Sequence, residues 1–257
     1  MSKYEKYDED IKRLHGEGLR NGEIAEIVGI DTRRVSDRLK VNGLVSNKRK
    51  FNDKPTPEEE VVLISLFIGD GCIYKSPGNI NYRVNLAHSL KQKKYFMKKY
   101  NRVKKFLDCE YFEETQKHSN GNYHSCVKFQ SKVNPYFTRA REKFYKNGKK
   151  VIPSDIADYL TDELLAYKFY DDGYLTESGF AISMDDYDKE SIRIFKQAVK
   201  ENFGIEMNEW GNGRKLYVPA KYRGAFKELV LPHATEDVLY KLGEFSETPN
   251  EECRGQH

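Results

Sequence analysis

Apolar residues along positions 7–44 return at the spacing of short amphipathic helices. Ile11 and Leu14 lie three apart, Ile24, Ala25 and Val28 share one face before Gly29, and Val35 and Leu39 form a further stripe that Gly43 ends. The pattern predicts short helices joined by a Gly-containing turn, the last of them capped by Asp31 or Thr32. This is the helix-turn-helix arrangement, and the small Ala25 allows its helices to approach closely. The predicted second helix leaves Thr32, Arg33, Arg34, Ser36, Asp37 and Lys40 on its open face. Arg33, Arg34, Ser36 and Lys40 are candidate DNA contacts, because such helices meet base edges near their first turn. A helical bundle with a solvated basic face is the alternative. The polar stretch that follows carries two prolines and the triplet Lys48, Arg49 and Lys50. It suits an arm along a DNA groove or a solvated tether.

Residues 61–69, VVLISLFIG, are apolar on all sides, which predicts a helix buried all round. Glu58, Glu59 and Glu60 suit its N-terminus. Asp70 closes the opposite end, where helix dipole and burial both disfavour a carboxylate unless it is paired or meets a cation. One such occurrence is explained by an Asp-Gly turn ending a core helix. The pattern recurs, however, in ELLAYKFYDDG at 163–173, with Asp172 standing 102 residues after Asp70. The flanks correspond too. Strand-like stretches, an amphipathic helix (QKKYFMKKYNRVKKFL or KESIRIFKQAVKENFGI), further strands and a closing helix follow each copy. An internal repeat of this kind predicts two similar halves packed about a pseudo-twofold axis, with paired carboxylates at their interface.

Within each half, apolar and polar residues alternate as in half-buried strands. Val84 and Leu86 oppose Arg83 and Asn85; Val127 and Phe129 oppose Lys128 and Gln130; Leu216 and Val218 oppose Lys215 and Tyr217. The polar faces carry groups suited to phosphates and base edges, an ordinary solvent face being the plainer reading for any one residue. Charge sharpens the picture. Residues 57–150 hold 19 Lys+Arg against 9 Asp+Glu, whereas residues 151–257 hold 12 against 21. The basic middle third points to a polyanionic partner. With 13% aromatic residues in 257, the chain has ample material for a core. No apolar run approaches the ~18–20 residues of a membrane helix, and the N-terminus lacks a signal-peptide pattern. Four cysteines without C-x-x-C spacing suggest neither a zinc site nor disulfides. The expected location is a reducing compartment, the cytoplasm of a bacterial or phage host or an organellar matrix.

LISLFIGDG and LAYKFYDDG resemble the two motifs of a single-chain LAGLIDADG homing endonuclease, the second in the D-D-G form of many intron-encoded members. NGKKVIPSDIADYLTDELLAYKFYDDG resembles that subgroup's connection and second motif, and LPHATEDVLYKLG its closing segment. The resemblance spans 57 to about 243. It implies an α+β fold of two pseudo-symmetric αββαββα halves with saddle-shaped antiparallel sheets, preceded here by the small all-α helix-turn-helix. The expected organisation is residues 1–46 for that domain, 47–56 for a basic linker, 57–150 and 151–243 for the halves, and 244–257 for a polar tail. The motifs depart from the family spelling: Ile64 and Ser65 replace Ala and Gly, and Tyr167 and Lys168 replace Gly and Leu. Tyr167 and Lys168 are expected to loosen or tilt the contact between the motif helices.

The resemblance further implies hydrolysis of one phosphodiester per strand across the minor groove, leaving short 3′ overhangs. Asp70 and Asp172 would bind divalent metal, with the backbone oxygens of Gly69 and Asp171. Two or three Mg²⁺ ions, one of them shared, fit an all-oxygen donor set. The family's lysine just past the last strand of each half corresponds to Lys132 and Lys221, and a polar residue at the strand-to-helix turn to His88, Ser89 or Gln92. Asp185 and Asp186 stand there in the second half and suit a phosphate poorly, so the halves would differ in nicking rate. Further DNA contacts are expected from Lys93 and the polar strand faces. The expected partner is double-stranded DNA with a long asymmetric target, bound by a monomer that requires no protein partner and no membrane. A non-cleaving regulator on the same scaffold and an intron RNA maturase are the alternatives; retention of Asp70, Asp172, Lys132 and Lys221 favours the nuclease. An intein is disfavoured for want of splicing segments.

Overall fold

The structure, a computed structural model, describes residues 3–44, 52–117 and 123–244. The chain divides into two compact units, Met1–Phe51 and Asn52–His257. In the first, helices α1 (Asp8–Gly16), α2 (Asn21–Val28) and α3 (Thr32–Val41) close on Ile11, Leu14, Ile24, Ala25, Val35 and Leu39. These are the apolar stripes that the periodicity picks out. Gly29 ends α2 with φ +74°, a conformation that side chains with a Cβ rarely adopt. Asp31 caps α3, its carboxylate accepting from the Arg33 amide at 2.8 Å. Buried Arg38 pairs with Asp8 and ties α3 to the start of α1.

The second unit runs α4 (Pro57–Ile68), β1 (Cys72–Tyr74), β2 (Arg83–Ser89), α5 (Lys93–Leu107), β3 (Tyr111–Lys117), β4 (Tyr123–Gln130) and α6 (Pro135–Phe144). A small hairpin, β5 (Tyr145–Lys146) and β6 (Lys149–Lys150), leads into α7 (Asp162–Asp172), β7 (Gly173–Thr176), β8 (Gly179–Ser183), α8 (Lys189–Phe203), β9 (Asn208–Trp210), β10 (Lys215–Val218) and α9 (Arg223–Val230). The αββαββα order therefore occurs twice. The two four-stranded antiparallel sheets share one strand order, β1-β2-β4-β3 and β7-β8-β10-β9. Thr56 begins α4 with a capping box, its hydroxyl accepting from the Glu59 amide and the Glu59 carboxylate accepting from the Thr56 amide.

The inner strand residues Val84, Leu86, Val127, Phe129, Leu216 and Val218 are buried. They join a core, continuous across both halves, to which α5, α6, α8 and α9 also contribute buried residues. Helices α4 and α7 pack side by side at its centre. This explains why both read as apolar all round: each has a helix partner, a sheet and outer helices on its several sides. No helix among the described residues is long and apolar enough to cross a membrane.

Candidate active site at the ends of the paired helices

The two motif helices end beside each other, and the end of each carries its acid. At the end of α4, Gly69 is buried, and a Cβ there would lie 2.0 Å from the Asp171 Oδ2 and 2.8 Å from the Ser65 carbonyl oxygen. Glycine is required because the other motif's side chain comes this close. Asp171 reaches across the interface, and its Oδ2 accepts from the Asp70 amide at 3.2 Å.

The Asp171 side chain is fully buried. Lys99 of α5, also fully buried, donates to both carboxylate oxygens at 2.6 and 2.8 Å, and the Tyr95 hydroxyl donates at 2.7 Å. Burial pushes the Asp171 carboxyl up, but Lys99, His88 and Tyr95 outweigh it and hold the group below the usual carboxylate range. Asp70 differs. Its side chain is 38% exposed, and among the described residues no lysine or arginine forms an ion pair with it. The rest of the carboxylate faces protein. Desolvation and the charges of Asp171 and Asp172 push its pKa up to about 7.

His88, at the inner face of β2, stands between the two acids. Its Nδ1 lies 3.5 Å from Asp70 and its Nε2 3.8 Å from Asp171. Burial drives its pKa down to about 4, so the ring is neutral at pH 7. Nε2 is buried without a hydrogen-bond partner among the described residues. One ligand atom from each of Asp70, His88 and Asp171 falls within a 4.8 Å group that could hold a metal ion. Asp172, at the end of α7, accepts from Lys168 at 2.7 Å, and the same ammonium donates to the Ile68 carbonyl at 2.8 Å. The Tyr187 hydroxyl also donates to Ile68 O, at 2.9 Å.

The two large departures from the family spelling both find polar partners in the other half. Lys168 crosses to α4. Tyr167, fully buried, turns toward α5, its hydroxyl donating to Glu163 at 2.9 Å and accepting from Arg102 at 3.3 Å. The backbone oxygens singled out in the sequence are both covered: Lys150 donates to Gly69 O, and Lys241 to Tyr170 O at 2.7 Å and Asp171 O at 3.2 Å.

The remaining sequence candidates fall into separate groups. By register, Arg83, Asn85, Lys128 and Gln130 lie on the outer face of the first sheet, with Ser89 at its end. There Arg83 donates to Gln130 at 3.0 Å, and Lys128 pairs with Glu114. Lys215 and Tyr217 lie on the outer face of the second sheet, where Lys215 stands 5.5 Å from the Trp210 ring. Gln92 donates to the Tyr240 hydroxyl at 3.2 Å, and Lys93 pairs with Glu113 at 2.6 Å. Lys132 is exposed, 3.9 Å from Asp108 past the end of α5, and Lys221 is exposed beside the Tyr222 ring. Asp185 accepts from Ser183 at 2.6 Å. Arg33, Arg34, Ser36 and Lys40 all lie on α3, with only Ser36 partly covered. Lys48, Arg49 and Lys50 lie outside the described residues.

Several site residues were not singled out from the sequence, Tyr95, Lys99, Lys150, Tyr187 and Lys241, and Lys168 was noted only as a departure from the family spelling. Of the residues not singled out, Lys99 alone left a signal. It falls four residues after Tyr95 and four before Val103, inside the apolar stripe of α5.

Among proteins of known name, this chain is similar to the cytochrome b mRNA maturase bI2 of Debaryomyces hansenii, with 24% identity over 51% of this chain and 52% of the relative. It is similar to a probable intron-encoded endonuclease 1 of Wickerhamomyces canadensis, with 28% identity over 38% of this chain and 47% of the relative. Similarity to the DNA endonuclease I-ChuI of Chlamydomonas applanata covers 74% of this chain and 96% of the relative at 21% identity. The chain thus spans about half the length of the first two relatives and nearly all of the third. Among solved structures, the homing endonuclease I-WcaI bound to its DNA recognition sequence matches with a TM-score of 0.65 and 23% identity, covering 73% of this chain and 86% of that one. That likeness, at under 25% identity, bears on the fold alone. With two motif helices side by side, two sheets of one strand order and residues 61–222 matching the family as a whole, this chain belongs to the LAGLIDADG DNA endonuclease family.

Proposed function

We propose that the protein is a site-specific double-strand DNA endonuclease that hydrolyses one phosphodiester per strand across the minor groove and leaves short 3′ overhangs. The observation that carries the reading is Asp70. A carboxylate with a pKa near 7 beside two further carboxylates is a poor structural element and a good cation site. The donor set fits a hard divalent ion such as Mg²⁺: carboxylates from Asp70 and Asp172, and backbone oxygens from Gly69 and Asp171. Such an ion, when bound, lowers the pKa of an attacking water and stabilises the leaving oxygen. Asp70 and Asp172 would hold it, one from each half. His88 would orient Asp70, and Asp171, neutralised by Lys99, would fix the spacing of the two helix ends. Lys132 and Lys221 would stabilise charge on the phosphate. Their exposure leaves both ammonium groups accessible to a DNA phosphate.

The outer sheet faces support DNA reading. Arg83, Asn85, Lys128 and Gln130 on one, with Lys215 and Tyr217 on the other, offer donors and acceptors for base edges and phosphates. In the N-terminal unit, the open face of α3 with Arg33, Arg34, Ser36 and Lys40 supports a further major-groove contact, and Lys48, Arg49 and Lys50 add basic charge in the sequence that follows. A second reading, an intron RNA maturase, draws on the similarity to a protein of that name.

The deciding experiment incubates purified protein with a randomised duplex library in Mg²⁺ or EDTA and sequences the ends. Metal-dependent double-strand cuts at one long motif are expected, lost in Asp70→Asn and Asp172→Asn with binding retained. Retention of a specific duplex without cutting overturns the nuclease reading. Preference for a folded intron RNA over every duplex favours the maturase.

A further inference from the structure

Four lysine ammonium groups converge on the ends of α4 and α7. Lys168 donates to Ile68 O, Lys150 to Gly69 O, Lys241 to Tyr170 O and Asp171 O, and Lys99 to the Asp171 carboxylate. Three carboxylates stand among them, those of Asp70, Asp171 and Asp172. Cations therefore outnumber anions in the site, although it was expected to attract divalent cations. We propose that Lys150 and Lys241 are built-in counter-cations that occupy the two backbone-oxygen positions of the free protein and keep divalent metal out until they leave. The inference rests on the reading of Asp70 and Asp172 as the metal-binding acids.

Capping alone would explain one such lysine, since ammonium groups favour helix C-termini. Two features go beyond capping. First, Gly69 and Asp171 are equivalent positions of the two motifs, yet their lysines come from non-equivalent segments. Lys150 lies on the β6 strand of the small hairpin, and Lys241 lies in the 3₁₀ turn at Glu236–Leu242. The same backbone position is covered twice by unrelated means. Second, both side chains are partly buried, and each ammonium reaches backbone oxygens at the helix ends beside the three carboxylates. They are tolerated because the carboxylates need compensation, the same need that a divalent ion would meet. A lysine stem has four rotatable bonds, so each ammonium can swing off its carbonyl without a backbone change. Phosphate groups of a bound polyanion are competing partners for both. Metal affinity would then rise when DNA is present, and reciprocally.

Isothermal titration of Mn²⁺ into DNA-free protein tests this, comparing wild type with Lys150→Met, Lys241→Met, the double variant and the double variant carrying Asp70→Asn. Weak wild-type binding is expected, tightened at least tenfold in the double variant and weak again once Asp70 is replaced. Wild-type binding as tight as the double variant's overturns the inference and leaves the acids as metal ligands. Absence of binding in every variant also overturns it, because the lysines are then not what excludes the ion; DNA cleavage judges the acids separately. A gain that survives Asp70→Asn instead overturns the ligand assignment. Circular dichroism checks folding, and Lys150→Gln with Lys241→Gln, which keep a donor on each carbonyl without the charge, replace the methionine variants should those unfold. A capping role alone predicts a lower Tm and unchanged Mn²⁺ affinity.

Discussion

The two motif helices close in almost the same letters, Gly69-Asp70-Gly71 and Asp171-Asp172-Gly173, and in opposite electrostatic states. At the first end there is no side chain at Gly69, and the partly exposed Asp70 has His88 beside it but no lysine or arginine partner among the described residues. At the second, Asp171 is fully buried against Lys99, and Asp172 is paired with Lys168. The extra carboxylate of the second motif does not add to that half's own exposed charge. It crosses the interface, accepts from the Asp70 amide, and fills the space that Gly69 leaves. A repeat in sequence thus produces complementary rather than equivalent ends, one supplying a cavity and a repelled acid, the other a buried anchor and its cation.

The anchor is where this contrast can be broken most severely. Lys99→Met leaves the Asp171 carboxylate buried and uncompensated, and removing one partner of a buried pair costs about 3–5 kcal/mol. Urea unfolding of the variant measures the loss. Adding Asp171→Asn to it should recover much of the stability, because the amide needs no counter-charge; a double variant no more stable than Lys99→Met would mean that the pair contributes only by packing. The receiving side is next in size. Gly69→Ala drives a methyl into the Asp171 carboxylate and the Ser65 carbonyl oxygen, neither free to retreat, and overpacking of this kind costs about 1–3 kcal/mol. In an Asp171→Ala background the larger obstacle is gone, so the penalty should shrink. An equal penalty in both backgrounds would deny that Gly69 exists to admit Asp171.

Much of this architecture was legible in the chain. Two all-round apolar helices ending in acids, with matching flanks, imply the αββαββα repeat, and the alternation in the strands assigns Val84, Leu86, Val127 and Phe129 inward. The buried lysines were not legible. Among the six lysines of α5, only Lys99 falls inside the stripe formed by Tyr95, Tyr100, Val103 and Phe106, and a single charge in such a stripe reads as a snorkelling side chain until its partner is known. Lys168 sits in a helix whose every face is buried, so periodicity assigns it no direction. Lys150 and Lys241 reach the site from a hairpin and a 3₁₀ turn, where no periodic pattern links them to helices far away in sequence. Asp171 was read for its backbone oxygen because the motif alignment gives it no other task. Its side chain acquires one only where the two helices meet.

The repelled end offers a gentler test, by pH. Asp70 has a folded-state pKa of about 7 against 3.8 for an unperturbed aspartate. Between these values the folded protein binds a proton that the unfolded chain has released, so stability falls as pH rises through this window. Below pH 4 both states are protonated, and the group contributes nothing to the pH dependence. Asp70→Asn removes the ionisation without removing the side chain. In EDTA, its Tm should match wild type near pH 4, rise above it progressively toward pH 7, and stay above it at pH 8. The effect is expected to be the smallest of the three, because an exposed edge lets solvent screen the repulsion. Asp172→Asn is the control on the other side of the comparison: it loses the pair with Lys168, and its Tm should not rise above wild type. Were Asp70→Asn to lower Tm at pH 8, the carboxylate would be a stabilising element of the metal-free fold, and the asymmetry between the two helix ends would not extend to their charge.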